Sequence, residues 1–468
     1  MIPRKVEGEN MKKYDLEPSR ENLLRTYKED SIGRNSDLIH FIAILDAIED
    51  GCSIALDGNW GSGKTFFVKQ AKMVMDAYNE HIKSCTEDDR NIIKSVQTET
   101  SVIDLSKMQP QVCVYYDAWE NDNDDDPILS LVYTILSDVD EDFSFREHSF
   151  LEIVTGLMQS FTGRDWKQIV DSLKGKDPLE GLKQSKHIET LVAEFLQGLL
   201  PEHGNRLVVF IDELDRCKPS YAVRLLERIK HYFSNDQITF VFSVNINELQ
   251  HTIRKYYGND FNASRYLDRF FDLRIALPLP DMERFYRSIA FDDTSYTYDM
   301  VCSAVIKAYH FELREVARYL RLARIAAYEP THGEKYQFIF SDERTLQFAL
   351  HYIVPIMLGL KISDVERYKD FIEGRDYTPL LELTKILSMK YFDELLARDE
   401  TFDEEEGSKT VIKLETKLQD VYEAIFRTTY TERVYSKTVG ELSFDARTKE
   451  KLLRIVGLTS QYNKIDGK

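Results

Sequence analysis

Cysteine is scarce in this sequence: five residues among 468, at Cys52, Cys85, Cys113, Cys217 and Cys302, never within CxxC distance. An odd, widely spaced set fits neither a disulfide framework nor a zinc knuckle and points to the reducing cytoplasm. Proline (12) and glycine (20) are too few for a collagenous or low-complexity chain. The opening stretch MIPRKVEGENMKKYDLEPSR lacks the apolar segment of a secretory signal. Long hydrophobic runs are missing too. The most apolar one runs only from Phe348 to Leu360 and contains His351 and Pro355. A bilayer span needs about 20 residues, so this run is expected in a protein core and no membrane span is expected. Positive charge is also in deficit, with 61 Lys and Arg against 80 Asp and Glu, for a net charge of −19. That balance excludes a broadly basic nucleic-acid coat, because duplex affinity comes mainly from neutralised phosphates. A local basic groove is still allowed, so nucleic acid is a possible partner that net charge does not indicate. No HExxH, GxSxG or paired Cys/His set is present.

What the chain does have is aromatic and aliphatic weight. Its 26 Phe and 26 Tyr, within an apolar share of 43 %, exclude a disordered protein. Single cores stop growing near roughly 250–300 residues, so two or three domains are expected. Residues 1–30 are polar and read as an arm or a short docking helix. From Ile32 to about Pro280, short β-rich runs alternate with helical stretches. The expected strands are Ser53–Asp57, Gln111–Asp117, Leu207–Asp212, Ile238–Val244 and Leu273–Leu277. Each is a continuous apolar run, the pattern of strands buried on both faces of a parallel sheet. Between them, Ala222, Leu225, Leu226, Ile229 and Phe233 recur at helical spacing just after Pro219. Such alternation predicts a doubly wound α/β domain over 31–280. The prolines of Leu277-Pro278-Leu279-Pro280 mark a break, and beyond them the periodicity is helical with no strand set. The acidic run Asp399 to Glu406 reads as an exposed loop, and the stripe Leu414, Leu418, Val421, Ile425 as a packed bundle helix.

The strongest chemical signal is Gly58-Asn59-Trp60-Gly61-Ser62-Gly63-Lys64-Thr65, a full match to GxxxxGK[ST], with a strand before it and a helical stretch from Phe66 after it. Glycines there let the backbone wrap a phosphate at a helix N-terminus. Lys64 can reach the β- and γ-phosphates, and the Thr65 hydroxyl can ligate Mg²⁺. The strand ending Phe210-Ile211-Asp212-Glu213 supplies the second half of such a site. Two adjacent acids ending an apolar strand are costly to bury unless a cation waits there. Asp212 is assigned to Mg²⁺, and Glu213 to orienting and deprotonating the attacking water. Asn245, ending the next strand, is a candidate sensor of the γ-phosphate or the water, with a helix cap as the competing role. Trp119 and Tyr116 are expected against the phosphate-loop helix, with a role beside the nucleotide as the alternative. Asp122–Asp126 reads as a solvated loop rather than a calcium site. Asn463-Lys464-Ile465-Asp466 spells a guanine-reading box without the strand it needs, so ATP is the favoured nucleotide.

GNWGSGKT, YYDAWEN at 115–121, VVFIDELDRCKP at 208–219 and FVFSVN at 240–245 together resemble the KAP family of P-loop NTPases. YLDRFFDLRIALPLP at 266–280 and LREVARYL at 313–320 continue the likeness, which covers roughly 31–325. The resemblance implies an ATPase of the additional-strand, catalytic-glutamate division, using ATP and Mg²⁺. Its expected sheet order is 5-1-4-3-2, followed by a helical lid over 281–330; the helical periodicity beyond it predicts a mostly helical C-terminal domain over 331–468. The resemblance favours Arg314 as a lid sensor and Arg269 as the arginine offered to a neighbouring subunit; Arg216 and Arg265 are further candidates. It also implies that Arg34 lies where the entering chain packs against adenine. Bacterial members are often phage-exclusion or other conflict proteins, and some eukaryotic members are membrane scaffolds. Many relatives carry membrane-spanning insertions that this chain lacks, and most have two aspartates where it has Asp212-Glu213.

The expected function is therefore ATP binding and hydrolysis driving a conformational or oligomerisation switch in bacterial anti-phage defence. Its partners would be copies of itself or an effector protein. A DNA-engaging motor or loader, drawing on Arg318, Arg321 and Arg324, and a nucleotide-bound regulatory scaffold are the alternatives.

Overall fold

The apolar runs form five parallel strands: β1 (Cys52–Asp57), β2 (Gln111–Asp117), β3 (Arg206–Asp212), β4 (Ile238–Val244) and β5 (Leu273–Ala276). They lie in the order 2-3-4-1-5, the expected order read from the other edge. The computed structural model describes residues 17–100, 103–124, 204–232, 235–289, 297–332, 343–387 and 407–457, with isolated positions between. The acidic run Asp399–Glu406, Asp125 and Asp126, and the Asn463–Asp466 box lie outside the described residues. The described residues form two compact units, Glu17–Phe285 and those from Tyr286 onward.

In the first unit the period-2 alternation of strands divides one apolar run between two cores. On β3, Val208 and Phe210 join Ile54, Leu56 and Val241 in a core under helices α1 (Arg20–Glu29), α2 (Asn35–Ala47) and α3 (Lys64–Tyr78). Leu207, Val209 and Ile211 turn the other way, toward Leu225, Leu226 and Ile229 of the helix Pro219–Tyr232. Burying a side chain of this size contributes about 1.5–3 kcal/mol, so the central strands anchor the unit. The expectation of two buried faces fails at β5. It pairs with β1, and Leu273 is 42 % exposed. A strand at the sheet edge, four residues long, has little to cover it.

The polar N-terminal segment takes the docking-helix form over its described part. Ser19 Oγ accepts from the Asn22 backbone N–H at the start of α1, and Leu23 and Tyr27 are buried. Gln70 Nε2 of α3 donates to the Leu23 carbonyl (3.1 Å) and Thr26 Oγ1 (3.0 Å), fastening α1 across the core.

The second unit is mostly helical. The stripe Leu414, Leu418, Val421, Ile425 is fully buried on the helix Gly407–Phe426, as a bundle helix requires. The apolar run lies in Arg344–Ser363, which includes a π-turn at Ala349–Ile353. Among the described residues this one helix is long and apolar enough to cross a membrane, and 72 % of its apolar window is buried inside the fold. One expectation is corrected: a strand pair is present, the antiparallel hairpin Ser436–Val439 and Leu442–Asp445. Its four-residue strands are too short for their alternation to stand out. The signal lay in the turn, where Gly440 takes the positive φ (+56°) that a two-residue hairpin loop needs.

Candidate nucleotide site

Parallel register brings the carboxyl ends of the strands to one line, with Asp212 opposite both Asp117 and Ser243, and Asp57 opposite Val244. The loop leaving β1 is shaped by glycine. Gly61 and Gly63 have φ of +85° and +93°. A Cβ on Gly58 would sit 3.0 Å from Ser62 Oγ and 3.2 Å from both Leu277 Cβ and Lys64 Cγ. The Gly58 N–H donates to the Val244 carbonyl (3.1 Å), tying the loop to β4. At the start of α3, no side chain caps the first turn and no acid occupies it. Its N–H groups and the helix dipole therefore form an anion site.

Lys64 Nζ donates to the carbonyls of Gly58 (2.6 Å) and Asn59 (3.1 Å). Burial lowers its pKa, opposed by the charges of Asp215, Asp212 and Glu213. Thr65 and Phe66 stand half-buried in the first turn of α3.

The turn after β3 carries the acids. Asp212 is fully buried; its Oδ2 accepts from Tyr115 Oη (3.0 Å), and its Oδ1 has no hydrogen-bond partner. A buried carboxylate oxygen without a donor is the place for a cation. Among the described residues no group of three or more His, Cys, Asp or Glu could hold a metal. A Mg²⁺ held by Thr65, Asp212, phosphate oxygens and water suits that donor set, because Mg²⁺ keeps several waters and few protein ligands. Glu213 has a left-handed backbone (φ +60°), and its Oε2 lies 2.5 Å from Arg216 Nε. Burial first, then Asp212 and Asp215, push its carboxyl up to about 7, against Arg216 and Lys64.

Two residues that motif reading left without a role complete this turn. Asp215 Oδ2 accepts from Trp60 Nε1 (2.6 Å), and its carbonyl accepts from Thr252 Oγ1 (3.1 Å). The other is Tyr115, the hydroxyl partner of Asp212. Asp215 stood inside the quoted motif IDELDRC, but only its contact with Trp60, 155 positions away, reveals its work.

The remaining candidates fall in different places. Arg34 is 2 % exposed and donates through Nη1 to the Ser62 carbonyl (2.9 Å), supporting the phosphate loop from behind. Asn245 Oδ1 accepts from the backbone N–H groups of Asn247 and Glu248, capping the helix Ile246–Tyr257. Arg265 and Arg269 are exposed just before β5. Arg314 is exposed on the helix Leu313–His332 of the second unit.

The placement expected for Tyr116 and Trp119 is corrected by strand alternation. Tyr116 turns to the far core and hydrogen-bonds Tyr221, while Tyr115 faces α3, with Lys69 Nζ 4.3 Å from its ring centroid. Trp119, 53 % exposed, lies against Arg216. Asp122 accepts from the Lys218 backbone N–H (3.0 Å), which makes it part of a surface turn.

Comparison with known proteins agrees with this architecture. The KAP family P-loop domain matches residues 36–293. An uncharacterized protein of Methanocaldococcus jannaschii is 35 % identical over 77 residues, spanning 16 % of this chain and 40 % of that protein. Similar solved structures include the Aeropyrum pernix ORC2 protein in ADPNP–ADP complexes (13 % identity, TM-score 0.29, 92 % of this chain and 97 % of that one). The Aeropyrum pernix ORC1 protein in complex with DNA is another (13 % identity, TM-score 0.31, 90 % and 92 %). Superpositions at this level carry no functional weight.

Proposed function

The chain belongs to the KAP family of P-loop NTPases, and from that premise we propose that it is a Mg²⁺-dependent ATPase whose turnover drives a conformational or oligomeric switch. The carrying observation is the buried ammonium of Lys64 beside an acidic turn in which Asp212 and Asp215 each keep a buried oxygen without a donor. Bound ATP·Mg²⁺ supplies the phosphoanhydride and the charge that polarises it. Lys64 would turn from the loop carbonyls to the phosphates, the N–H groups of Gly61 to Thr65 would hold phosphate oxygens, and Asp212 and Thr65 would hold the metal. Glu213 takes a proton from the attacking water, which a carboxyl raised to about 7 by burial is suited to accept. Arg269 from a neighbouring subunit and Arg314 from the second unit are the candidates to stabilise charge on the γ-phosphate, with Asn245 as a sensor through the part of its side chain not used in capping.

Glu213→Gln should bind ATP with affinity near that of the parent and lose turnover by about 10²–10⁴-fold. Normal hydrolysis by this variant would refute the assignment. Anti-phage defence is carried by the family resemblance, and a plating assay with the same variant tests it: protection that survives loss of hydrolysis argues against an ATP-driven response. A cytoplasmic setting is supported by five unpaired cysteines. A second reading, a DNA-engaging motor, draws on Arg314, Arg318 and Arg321, exposed at successive turns of one helix face. ATPase stimulation by DNA that falls steeply with salt would favour it.

A further inference from the structure

Phosphate chemistry does not by itself require the arrangement around Arg216. Its Nε pairs with Glu213 Oε2 at 2.5 Å, with side-chain exposures of 22 % and 16 %. The same guanidinium lies 5.6 Å from the ring centroids of both Trp60 and Trp119. These rings come from two other turns. Trp60 belongs to the phosphate loop and is anchored by Nε1 on Asp215. Trp119 sits in the turn after β2, its backbone N–H held by Asp117 Oδ1 (3.0 Å). The backbone favours the pairing as well, because the Arg216 N–H donates to the Glu213 carbonyl (3.0 Å) across the left-handed residue. A guanidinium keeps its proton throughout the physiological range and stacks well on aromatic faces. The carboxylate oxygen it holds is thereby committed to a permanent cation instead of a water.

We propose that Arg216 is a positioning residue that holds Glu213 in an ion-paired resting place, clamped by Trp60 and Trp119, and that turnover requires this pair to open. The proposal rests on the reading of Glu213 as the group that activates water. Trp60 connects the clamp to the phosphate loop. Trp119, more than half exposed, is the side of the clamp that a partner surface can reach.

Steady-state ATPase measurements on the full chain test it, comparing the parent with Arg216→Gln, Arg216→Lys, Trp119→Ala, Glu213→Gln and the Glu213→Gln/Arg216→Gln double variant. Releasing the latch should raise kcat of Arg216→Gln by about threefold to tenfold, with KM for ATP within about twofold of the parent. Arg216→Lys keeps a cation beside Glu213 but loses the planar stack on the indoles, so its kcat should fall between those of the parent and Arg216→Gln. Trp119→Ala, altered at an exposed position that the fold tolerates, should also turn over faster than the parent. The double variant should be as inactive as Glu213→Gln. An unchanged or reduced kcat in Arg216→Gln or Trp119→Ala, with Glu213→Gln inactive, overturns the latch and leaves the role of Glu213 standing. A raised KM with reduced kcat in Arg216→Gln likewise overturns it, placing Arg216 on the phosphates. If Glu213→Gln hydrolyses ATP at the parental rate, the reading beneath the proposal fails, and the latch fails with it.

Discussion

Two turns meet at the carboxyl end of the sheet, and they are built on opposite principles. The loop Gly58–Gly63 works through its backbone: glycine conformations, N–H groups and the start of α3 make the anion site. The turn Asp212–Arg216 works through side chains, each held by a residue far away in sequence, such as Tyr115 on Asp212 and Trp60 on Asp215. A backbone site is specified locally, because the residues that bend the chain are the residues that bind. A side-chain site is specified by packing, because a carboxylate becomes a metal ligand or a base only in the surroundings that bury and orient it.

Separate roles for the two turns predict separable defects. Lys64→Ala should have the largest effect, weakening ATP binding about a hundredfold by calorimetry, since it removes a charge-assisted contact to phosphate. Glu213→Gln should bind ATP nearly as the parent does, and equal loss of affinity in the two variants would erase the distinction. Next comes Arg34→Met. It strands the buried Ser62 carbonyl and should cost about 1–3 kcal/mol in thermal unfolding while raising KM for ATP. An unchanged KM would show that the loop holds its shape without support from behind. Tyr115→Phe tests the acidic turn more finely. Loss of the hydroxyl that orients the Asp212 carboxylate should raise the Mg²⁺ concentration for half-maximal activity about tenfold. An unmoved Mg²⁺ titration would remove Tyr115 from the site. The smallest effect is expected outside both turns. Gly440→Val in the hairpin should cost about 1 kcal/mol or somewhat more through its positive φ, with ATPase activity unaltered. A change in kcat there would give the second unit a part in the chemistry.

The same contrast explains what could be read in advance. Gly58–Thr65 and Asp212-Glu213 were legible because strand, turn and helix follow one another within a few residues, each marked by its own residue types. The strand order was implied by the family pattern, and the strand positions by apolar runs. Which face each residue of β2 took was not legible. Tyr115 and Tyr116 are chemically alike, and only the register of the strand against β3 sends one to Asp212 and the other to Tyr221. The contact of the Arg34 guanidinium with the Ser62 carbonyl was not legible either, since it depends on how α2 meets the phosphate loop.

By itself, then, the sequence determined a parallel-stranded P-loop NTPase with a phosphate loop and an acidic pair, because those features arise from short-range backbone and solvation preferences. The tertiary structure alone decided what surrounds the acids: the unpartnered buried oxygens of Asp212 and Asp215, the elevated carboxyl of Glu213, and the guanidinium of Arg216 between two indoles. Those are properties of distance and burial between segments remote in the chain. No local preference encodes them, since each depends on the dielectric and the neighbours that folding brings together.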